Sequence, residues 1–251
     1  MRAEGYSAIA PSYDFFTENV NYRAYADRLC FLAGSLGIRP GSLVDLGCGT
    51  ASLGIELAKR GFDVTGVDIS CDMLAVAEKK SLDAGVRLRL INQDMTELSL
   101  GRRYRLIIST LDGLNHLDNF SAVRTTLKRV REHLSHGGAF IFDVNTVYKH
   151  KTVLGNSCFI FDSDRGYLGW QNDYLGKNRV RITLDLFVPE GKSPGASVWK
   201  RRSESFVETA YPVKKLLRAL RDSGFKRVLL YDWLEKRPPR AESEKVLFVA
   251  V

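Results

Sequence analysis

Three carboxylates stand at or near the ends of three successive strand-like runs. Asp45 lies in "LVDLGCGTAS", two residues before Gly47; Asp68 ends "VTGVD", and Asp94 follows "RLRLI". A glycine turn between a strand and a helix lets backbone N–H groups approach a ligand closely, most often a phosphate. A carboxylate beside the turn would repel a phosphate, so these acids favour a ligand that offers amino groups and hydroxyls.

The glycine turn leaves two ligand classes open. A dinucleotide fingerprint G-x-G-x-x-G would need glycine at position 52, where the chain has Ser52. Asp68, about 20 residues after the turn, suits a ribose diol in either class. Asp45 suits an amino group and Asp94 an adenine amine, because carboxylates accept hydrogen bonds from such donors. Together the acids favour a nucleoside with an amine and no phosphate.

Strand-like and helix-like runs alternate up to about residue 154, after a first helix predicted for residues 22–36. The predicted strands are 42–46, 63–68, 86–91, 104–110 and 139–145, and the predicted helices are 51–60, 71–84 and 121–134. "SHGG" (135–138) predicts a turn. This alternation is typical of a parallel, doubly wound α/β sheet.

The pattern changes after residue 153. Four strand-like runs follow with no helix between them, separated by turns predicted at 164–166, 176–178 and 190–191. A helix with Pro212 in its first turn and two further strands then complete the chain. We therefore predict a Rossmann-like, mostly parallel seven-stranded sheet from residues 1–154 and 211–251. Residues 155–210 are predicted to form an antiparallel insert that covers the crevice as a substrate lid.

The composition indicates a globular cytoplasmic protein. Of 251 residues, 45% are apolar and 26% are charged, and no apolar run approaches the roughly 18 residues that span a membrane. The first residues contain too short an apolar stretch for a signal peptide. The four cysteines form no CxxC pair, and the histidines lack metal-ligand spacing. We therefore predict reduced thiols, no metal and no membrane.

The net charge of +8 favours anionic partners. The basic residues are scattered, however, so solvated surface is the better interpretation and nucleic acid is an unlikely partner. The densest clusters leave five arginines as candidates for contacts with an anionic substrate: Arg102, Arg103, Arg105, Arg201 and Arg202.

These motifs together resemble the class I S-adenosylmethionine-dependent methyltransferases. "VDLGCGTAS" is similar to their glycine motif, "VTGVDISCDML" to their ribose motif and "INQDM" to their adenine motif. The resemblance covers most of the chain, although Ala51 stands where many members have a third glycine. It implies S-adenosylmethionine as cofactor, bound by Asp45, Gly47, Gly49, Asp68, Ile69, Met73, Asp94, Met95 and Leu111.

The segment "YSAIAPSYDFFTENVNYRAYADRL" resembles the N-terminus of a bacterial small-molecule subgroup that includes sugar N-methyltransferases. That resemblance implies that Tyr13 and Tyr25 flank the methionine end of the cofactor. Aromatic faces attract a sulfonium cation, which supports the assignment physically. Tyr22 is predicted instead to pack within a helix stripe, and Tyr13 to lie in a loop.

Candidate catalytic residues follow the fourth strand in "LDGLNHL". His116 suits proton removal near neutrality, and its alternative role is to cap the following turn. Asn115 and the Tyr13 hydroxyl are candidates for orienting the substrate. In the insert, Trp170 and Tyr174 either line the pocket or form the core of the insert itself.

The function predicted from the resemblance is methyl transfer to oxygen or nitrogen of a small molecule by in-line displacement. The alternatives are an RNA or protein methyltransferase and a non-catalytic protein that senses the cofactor. The basic charge favours the nucleic-acid alternative, but no appended recognition domain is recognisable. The oligomeric state is predicted as monomer or dimer.

Overall fold

The computed structural model describes residues 9–163, 165–190, 198–233 and 235–251. Two sheets organise them. The strands are β1 Ser42–Leu46, β2 Asp63–Asp68, β3 Arg89–Asn92, β4 Tyr104–Ser109, β5 Leu134–Asn145, β6 Cys158–Ser163, β7 Gly166–Gly176, β8 Arg179–Pro189, β9 Trp199–Thr209, β10 Val228–Asp232 and β11 Lys245–Ala250. The helices are α1 Tyr13–Phe16, α2 Tyr22–Ser35, α3 Ser52–Ala58, α4 Cys71–Asp83, α5 Phe120–His133 and α6 Val213–Asp222.

The larger sheet has seven strands in the order β10-β11-β5-β4-β1-β2-β3. Strands β1 to β5 run parallel, whereas β11 is antiparallel to both β5 and β10. The strand order reverses between β1 and β4, and this is where an open α/β sheet binds its ligand. The predicted Rossmann-like, mostly parallel sheet is confirmed.

Apolar side chains bury both faces of this sheet. Phe140 and Phe142 on β5 stack on one face, where Phe142 also stacks on Phe248 of β11 with ring centroids 4.6 Å apart. On the opposite face, Leu29 of α2 packs with Leu43 of β1. Strands β4 and β11 are therefore nearly continuous apolar runs, as expected for strands covered on both sides.

The four strands β6 to β9 form a separate antiparallel sheet. Its apolar cluster contains Leu168, Val180 and Ile182, and both Trp170 and Tyr174 pack against that cluster. Trp170 donates its Nε1–H to Asn172 Oδ1 at 2.8 Å. Both aromatic residues therefore belong to the core of this sheet. Residue 164 and residues 191–197, which include parts of two predicted turns, lie outside the described residues.

Two local predictions are wrong. The "SHGG" segment is not a turn between α5 and the next strand. Strand β5 already begins at Leu134, and the segment lies within β5 as an irregularity in the pairing of β5 with β4. A Cβ on Gly138 would stand 3.1 Å from the carbonyl oxygens of Tyr104 and Arg105, so the close approach of β4 requires glycine there. Tyr13 begins the short helix α1 rather than lying in a loop.

In the described parts of the chain, no helix is both long and apolar enough to cross a membrane.

Candidate active site

A cavity of about 450 Å³ lies at the carboxyl ends of β1 to β4 and extends to strand β9 of the smaller sheet. It gathers predicted residues from five separate segments. Of the residues predicted to bind the cofactor, those that line it are Tyr13, Asp45, Gly47, Gly49, Asp68, Ile69, Met73, Asp94, Met95 and Leu111.

The glycine turn after β1 forms the floor of the cavity. Gly47 and Gly49 have φ angles of +76° and +53°, in the left-handed region that glycine adopts without strain. The turn also lies close to β2, since a Cβ on Gly66 would stand 2.9 Å from Cys48 Sγ. Burial raises the pKa of the Cys48 thiol well above its usual range, so this side chain packs as a neutral group.

Asp68 fixes the glycine turn from the end of β2. Its Oδ2 accepts a hydrogen bond from Gly49 N at 2.8 Å, and its Oδ1 accepts one from Ser70 N at 2.9 Å. Burial raises its pKa against the opposing effect of these hydrogen bonds. Each carboxylate oxygen can accept a second hydrogen bond, which suits the two hydroxyls of a ribose.

Asp45 is 3% exposed and borders the same cavity. Burial, and then repulsion from Asp68, raises the pKa of its carboxyl to about 7. A nearby ammonium group would reverse that shift, because an opposite charge favours the ionised form.

Asp94 lies after β3, where its Oδ1 accepts hydrogen bonds from both Thr96 N and Thr96 Oγ1 at 2.8 Å. These contacts fix the carboxylate where it borders the cavity beside Met95.

Tyr22, not Tyr25, lies beside Tyr13 at the cavity. Tyr25 is 2% exposed and donates its hydroxyl towards Asp143 Oδ2 at 3.5 Å, below the binding loops. Its side chain does not line the cavity, so the structure does not support the predicted contact with the cofactor. Both tyrosines lie on one side of α2, and spacing alone could not tell which of them meets the ligand.

The N-terminal segment is attached beside the glycine turn through Asp14. Its Oδ1 accepts a hydrogen bond from Thr50 Oγ1 at 2.7 Å, and its Oδ2 pairs with Lys80 Nζ at 2.5 Å. Burial raises the pKa of the neighbouring Tyr13 phenol well above its usual range. The Tyr13 phenol therefore stays protonated.

The adjacent residues Asn115 and His116 have different surroundings. Asn115 is fully buried; its amide donates to the carbonyls of Asn145 and Thr209, and its Oδ1 accepts from Asn145 N at 2.9 Å. Through these contacts Asn115 joins the loop after β4 to β5 and β9. Its side chain does not line the cavity. His116 lines the cavity and packs against the ring of Phe206 at 5.2 Å. Of these two candidates, only His116 borders the cavity.

A buried charged cluster supports the loop after β4. Asp143 accepts hydrogen bonds from Leu111 N at 3.0 Å and Asp112 N at 2.8 Å, two residues with left-handed φ angles. Lys245 of β11 pairs with Asp112 and lies 3.7 Å from Asp143 Oδ1. Burial opposes ionisation of Asp112, but Lys245 and then Lys149 outweigh it and lower its pKa. The cluster fixes the strained loop that bears Leu111.

Sequence reasoning missed this cluster, since only the sheet topology brings Lys245 beside Asp143. One signal was present: Asp143 interrupts the apolar run of β5, and a buried acid needs partners.

The five arginines predicted as candidates for contacts with an anionic substrate lie elsewhere. Arg102 pairs with Asp63 and Arg201 with Asp185, and none of the five lines the cavity.

Comparisons with known proteins agree with this geometry. A family model for a methyltransferase domain matches residues 43–138. A protein from Geobacillus sp. (strain WCH70), whose assigned name is that of a methyltransferase, is 32% identical over 83% of each chain. The crystal structure of an S-adenosylmethionine-dependent methyltransferase from Clostridium acetobutylicum ATCC 824 matches with a TM-score of 0.87 and 28% identity over 98% of both chains.

A third relative is the dTDP-3-amino-3,4,6-trideoxy-alpha-D-glucopyranose N,N-dimethyltransferase of Streptomyces venezuelae, which is 29% identical over 53% of this chain and 56% of that protein. The chain belongs to the S-adenosylmethionine-dependent methyltransferase family. Its cofactor is S-adenosylmethionine, and Asp45, Asp68 and Asp94 at the cavity fit the amine, ribose and adenine of that molecule.

Proposed function

We propose that this enzyme transfers the methyl group of S-adenosylmethionine to a nitrogen or oxygen atom of a small molecule, with an amino sugar as the leading substrate class. One observation carries the proposal: a single cavity is bordered by Asp45, Asp68 and Asp94 near the strand ends, by His116 in the loop after β4 and by Phe206 of β9. Two reacting groups can therefore meet inside it. The name of the Streptomyces venezuelae relative supports a sugar amine.

The residues proposed to hold the cofactor divide by chemistry. Asp45 faces the amino group of the methionine portion, Asp68 takes the ribose hydroxyls, and Asp94 accepts from the adenine amine. Ile69, Met73, Met95 and Leu111 supply apolar contacts. Tyr13 and Tyr22 place aromatic rings beside the sulfonium, an arrangement that stabilises a cation by roughly 0.5–2 kcal/mol per ring.

Bound S-adenosylmethionine supplies an electrophilic methyl group on a good leaving group, so the protein must chiefly align the acceptor and exclude water. We assign the alignment to His116 and to strand β9. This strand belongs to the proposed lid, residues 155–210. His116 accepts the proton when the acceptor arrives as a protonated amine or a hydroxyl. The Tyr13 phenol orients the substrate by donating a hydrogen bond to a group other than the attacking atom.

Cofactor binding is expected to release a proton at pH 6. In the cofactor-free enzyme at pH 6 the Asp45 carboxyl is mostly protonated, because its pKa is about 7. The ammonium of S-adenosylhomocysteine lowers that pKa, so the carboxyl ionises on binding. Calorimetry in two buffers of different ionisation enthalpy measures the release, which should approach one proton at pH 6 and decline towards pH 8. Asp45→Asn should abolish the buffer dependence, and equal enthalpies for the unmodified enzyme would contradict the assignment.

Truncating Phe206 is expected to impair substrate use more than cofactor binding. Phe206 borders the cavity and packs on His116, so Phe206→Ala should lower kcat/KM by about 10- to 100-fold, or roughly 1.4–2.7 kcal/mol. The dissociation constant of S-adenosylhomocysteine should change less than about threefold. Phe161→Ala on β6 of the same sheet is the matched control, since Phe161 is exposed. A Phe206 variant with unchanged kcat/KM would remove β9 from the substrate wall.

The function is tested by incubating the enzyme with methyl-labelled cofactor and a panel of acceptors: nucleotide-linked amino sugars, simple amines, hydroxylated metabolites, transfer RNA and a protein extract. Transfer to a small molecule, lost in His116→Asn, supports the proposal. Transfer only to RNA or protein selects that alternative. Tight S-adenosylhomocysteine binding without transfer to any acceptor indicates a sensor.

We also propose a cytoplasmic location, which the free cysteines support. All four cysteines are unpaired in the structure, as expected of a reducing compartment.

A further inference from the structure

A buried carboxylate from the lid stands between two histidines. Glu208, near the end of β9, is 3% exposed. Its Oε2 accepts a hydrogen bond from Asn145 Nδ2 at 3.0 Å and lies 3.3 Å from His150 Nε2. Its Oε1 lies 3.8 Å from Nε2 of His116, the histidine at the cavity.

The contact between Glu208 and His150 requires a proton. His150 Nδ1 lies 3.0 Å from the carbonyl oxygen of Asn178, and a carbonyl only accepts, so Nδ1 carries a hydrogen. In a neutral ring the Nε2 lone pair would then face the carboxylate in a buried site, which is strongly unfavourable. In the structure His150 Nε2 has no hydrogen-bond partner, and one proton, on this nitrogen or on Glu208, would allow the pair to form such a bond.

The charges around Glu208 support the same proton count. Three carboxylates meet here: Asn145 donates both to Glu208 and, at 2.8 Å, to Asp112, and Lys245 lies between Asp112 and Asp143. Two ammonium groups face them: Lys245 pairs with Asp112, and Lys149 donates to Asn145 Oδ1 at 3.0 Å. One further proton would bring the net charge of this cluster to zero, which lowers the cost of burying it.

The remaining oxygen of Glu208 acts on His116. Phe206, two residues earlier on β9, packs against the imidazole and restrains its plane. Oε1 then faces Nε2, and a carboxyl oxygen that accepts favours a hydrogen on the nitrogen that it faces. That tautomer leaves the lone pair on Nδ1. A separation of 3.8 Å is long for a hydrogen bond, but such contacts often shorten when substrate closes the site.

We propose that Glu208 is a positioning residue that selects the Nε2–H tautomer of His116 and thereby makes Nδ1 the proton acceptor. The proposal deepens the proposed function, because it rests on His116 acting as the base. It also gives the lid a second role, since β9 both forms the substrate wall and sets the state of the histidine opposite.

The tautomer can be measured without any substrate. ¹⁵N chemical shifts distinguish protonated from unprotonated ring nitrogens, and the chain has only four histidines to assign, by single His→Gln variants. In the unmodified enzyme with S-adenosylhomocysteine, neutral His116 should carry its hydrogen on Nε2. In Glu208→Gln the amide can donate to Nε2 instead, so the hydrogen should move to Nδ1. His116 in the Nδ1–H form in the unmodified enzyme would overturn the proposal even if the variant does not fold.

Kinetics provides the second readout. Glu208→Gln should lower kcat about 10- to 100-fold with S-adenosylhomocysteine affinity unchanged within about twofold, whereas Glu208→Asp, which keeps the charge, should recover most of the loss. Glu132→Gln, which removes the same charge from the exposed surface of α5, is the control and should have no effect. Equal kcat values in the Gln variant and the unmodified enzyme would overturn the proposal. If His116→Asn is fully active while the tautomer still depends on Glu208, the base role fails instead.

Discussion

Replacing Lys245 with methionine is expected to lower the free energy of unfolding by about 3–5 kcal/mol, the range typical of breaking a buried ion pair on one side only. Methionine fills similar space but leaves Asp112 and Asp143 facing each other without the ammonium between them. Burial disfavours the charge on Lys245, yet attraction from these two carboxylates outweighs it and raises its pKa well above the usual range. Chemical denaturation of the purified variant measures the loss.

Two further variants serve as controls for this prediction. Lys226→Met, at an exposed lysine, should change the stability by less than about 0.5 kcal/mol. Lys245→Met combined with Asp112→Asn should recover part of the loss, because one uncompensated charge is removed. If the single variant is as stable as the unmodified protein, the buried cluster does not stabilise the loop after β4.

Removing the Asp68 carboxylate is expected to weaken S-adenosylhomocysteine binding by roughly 2–4 kcal/mol, which is about 30- to 1,000-fold in the dissociation constant. Asp68→Ala leaves the ribose hydroxyls without acceptors. It also removes the acceptor of Gly49 N and Ser70 N, so the glycine turn loses the contact that fixes it. Calorimetry on the folded variant gives the affinity.

Asp72→Ala is the matched control for this measurement, because Asp72 lies four residues later in the first turn of α4 and its side chain is exposed. Its effect on affinity should remain within about twofold. Asp68→Asn should fall between the two, since the amide keeps one oxygen acceptor. An unaltered dissociation constant in folded Asp68→Ala would take Asp68 out of the cofactor site.

Local patterns predicted most of the fold and most of the residues that meet in the cavity. Strands β1 and β2 begin and end where apolar periodicity and the flanking turns indicate. The acids near their ends reach one cavity because parallel strands share a carboxyl edge. The start of β5 was not predictable in the same way. The "SHGG" segment continues the strand because it pairs irregularly with β4, and this tertiary contact overrides the turn propensity of the segment.

The substrate side was harder to predict, for reasons of direction and distance. Asn115 and His116 are adjacent, and only the geometry of the short turn sends one inward and the other to the cavity. Tyr22 and Tyr25 share a helix side, and packing against Asp143 decides between them. Glu208 and Lys245 act on residues far away in sequence, which no local pattern connects.

The position of β11 has a consequence for biosynthesis. This strand lies between β5 and β10, and its Lys245 neutralises carboxylates on β5 and on the loop after β4. The smaller sheet and α6 are translated before it. A nascent chain on the ribosome can thus close the local hairpins of the smaller sheet early, whereas the support that β11 gives to the loop after β4 has to wait for this distant pairing, which is intrinsically slow. Ribosome-bound intermediates should therefore carry a formed smaller sheet before the cavity is complete.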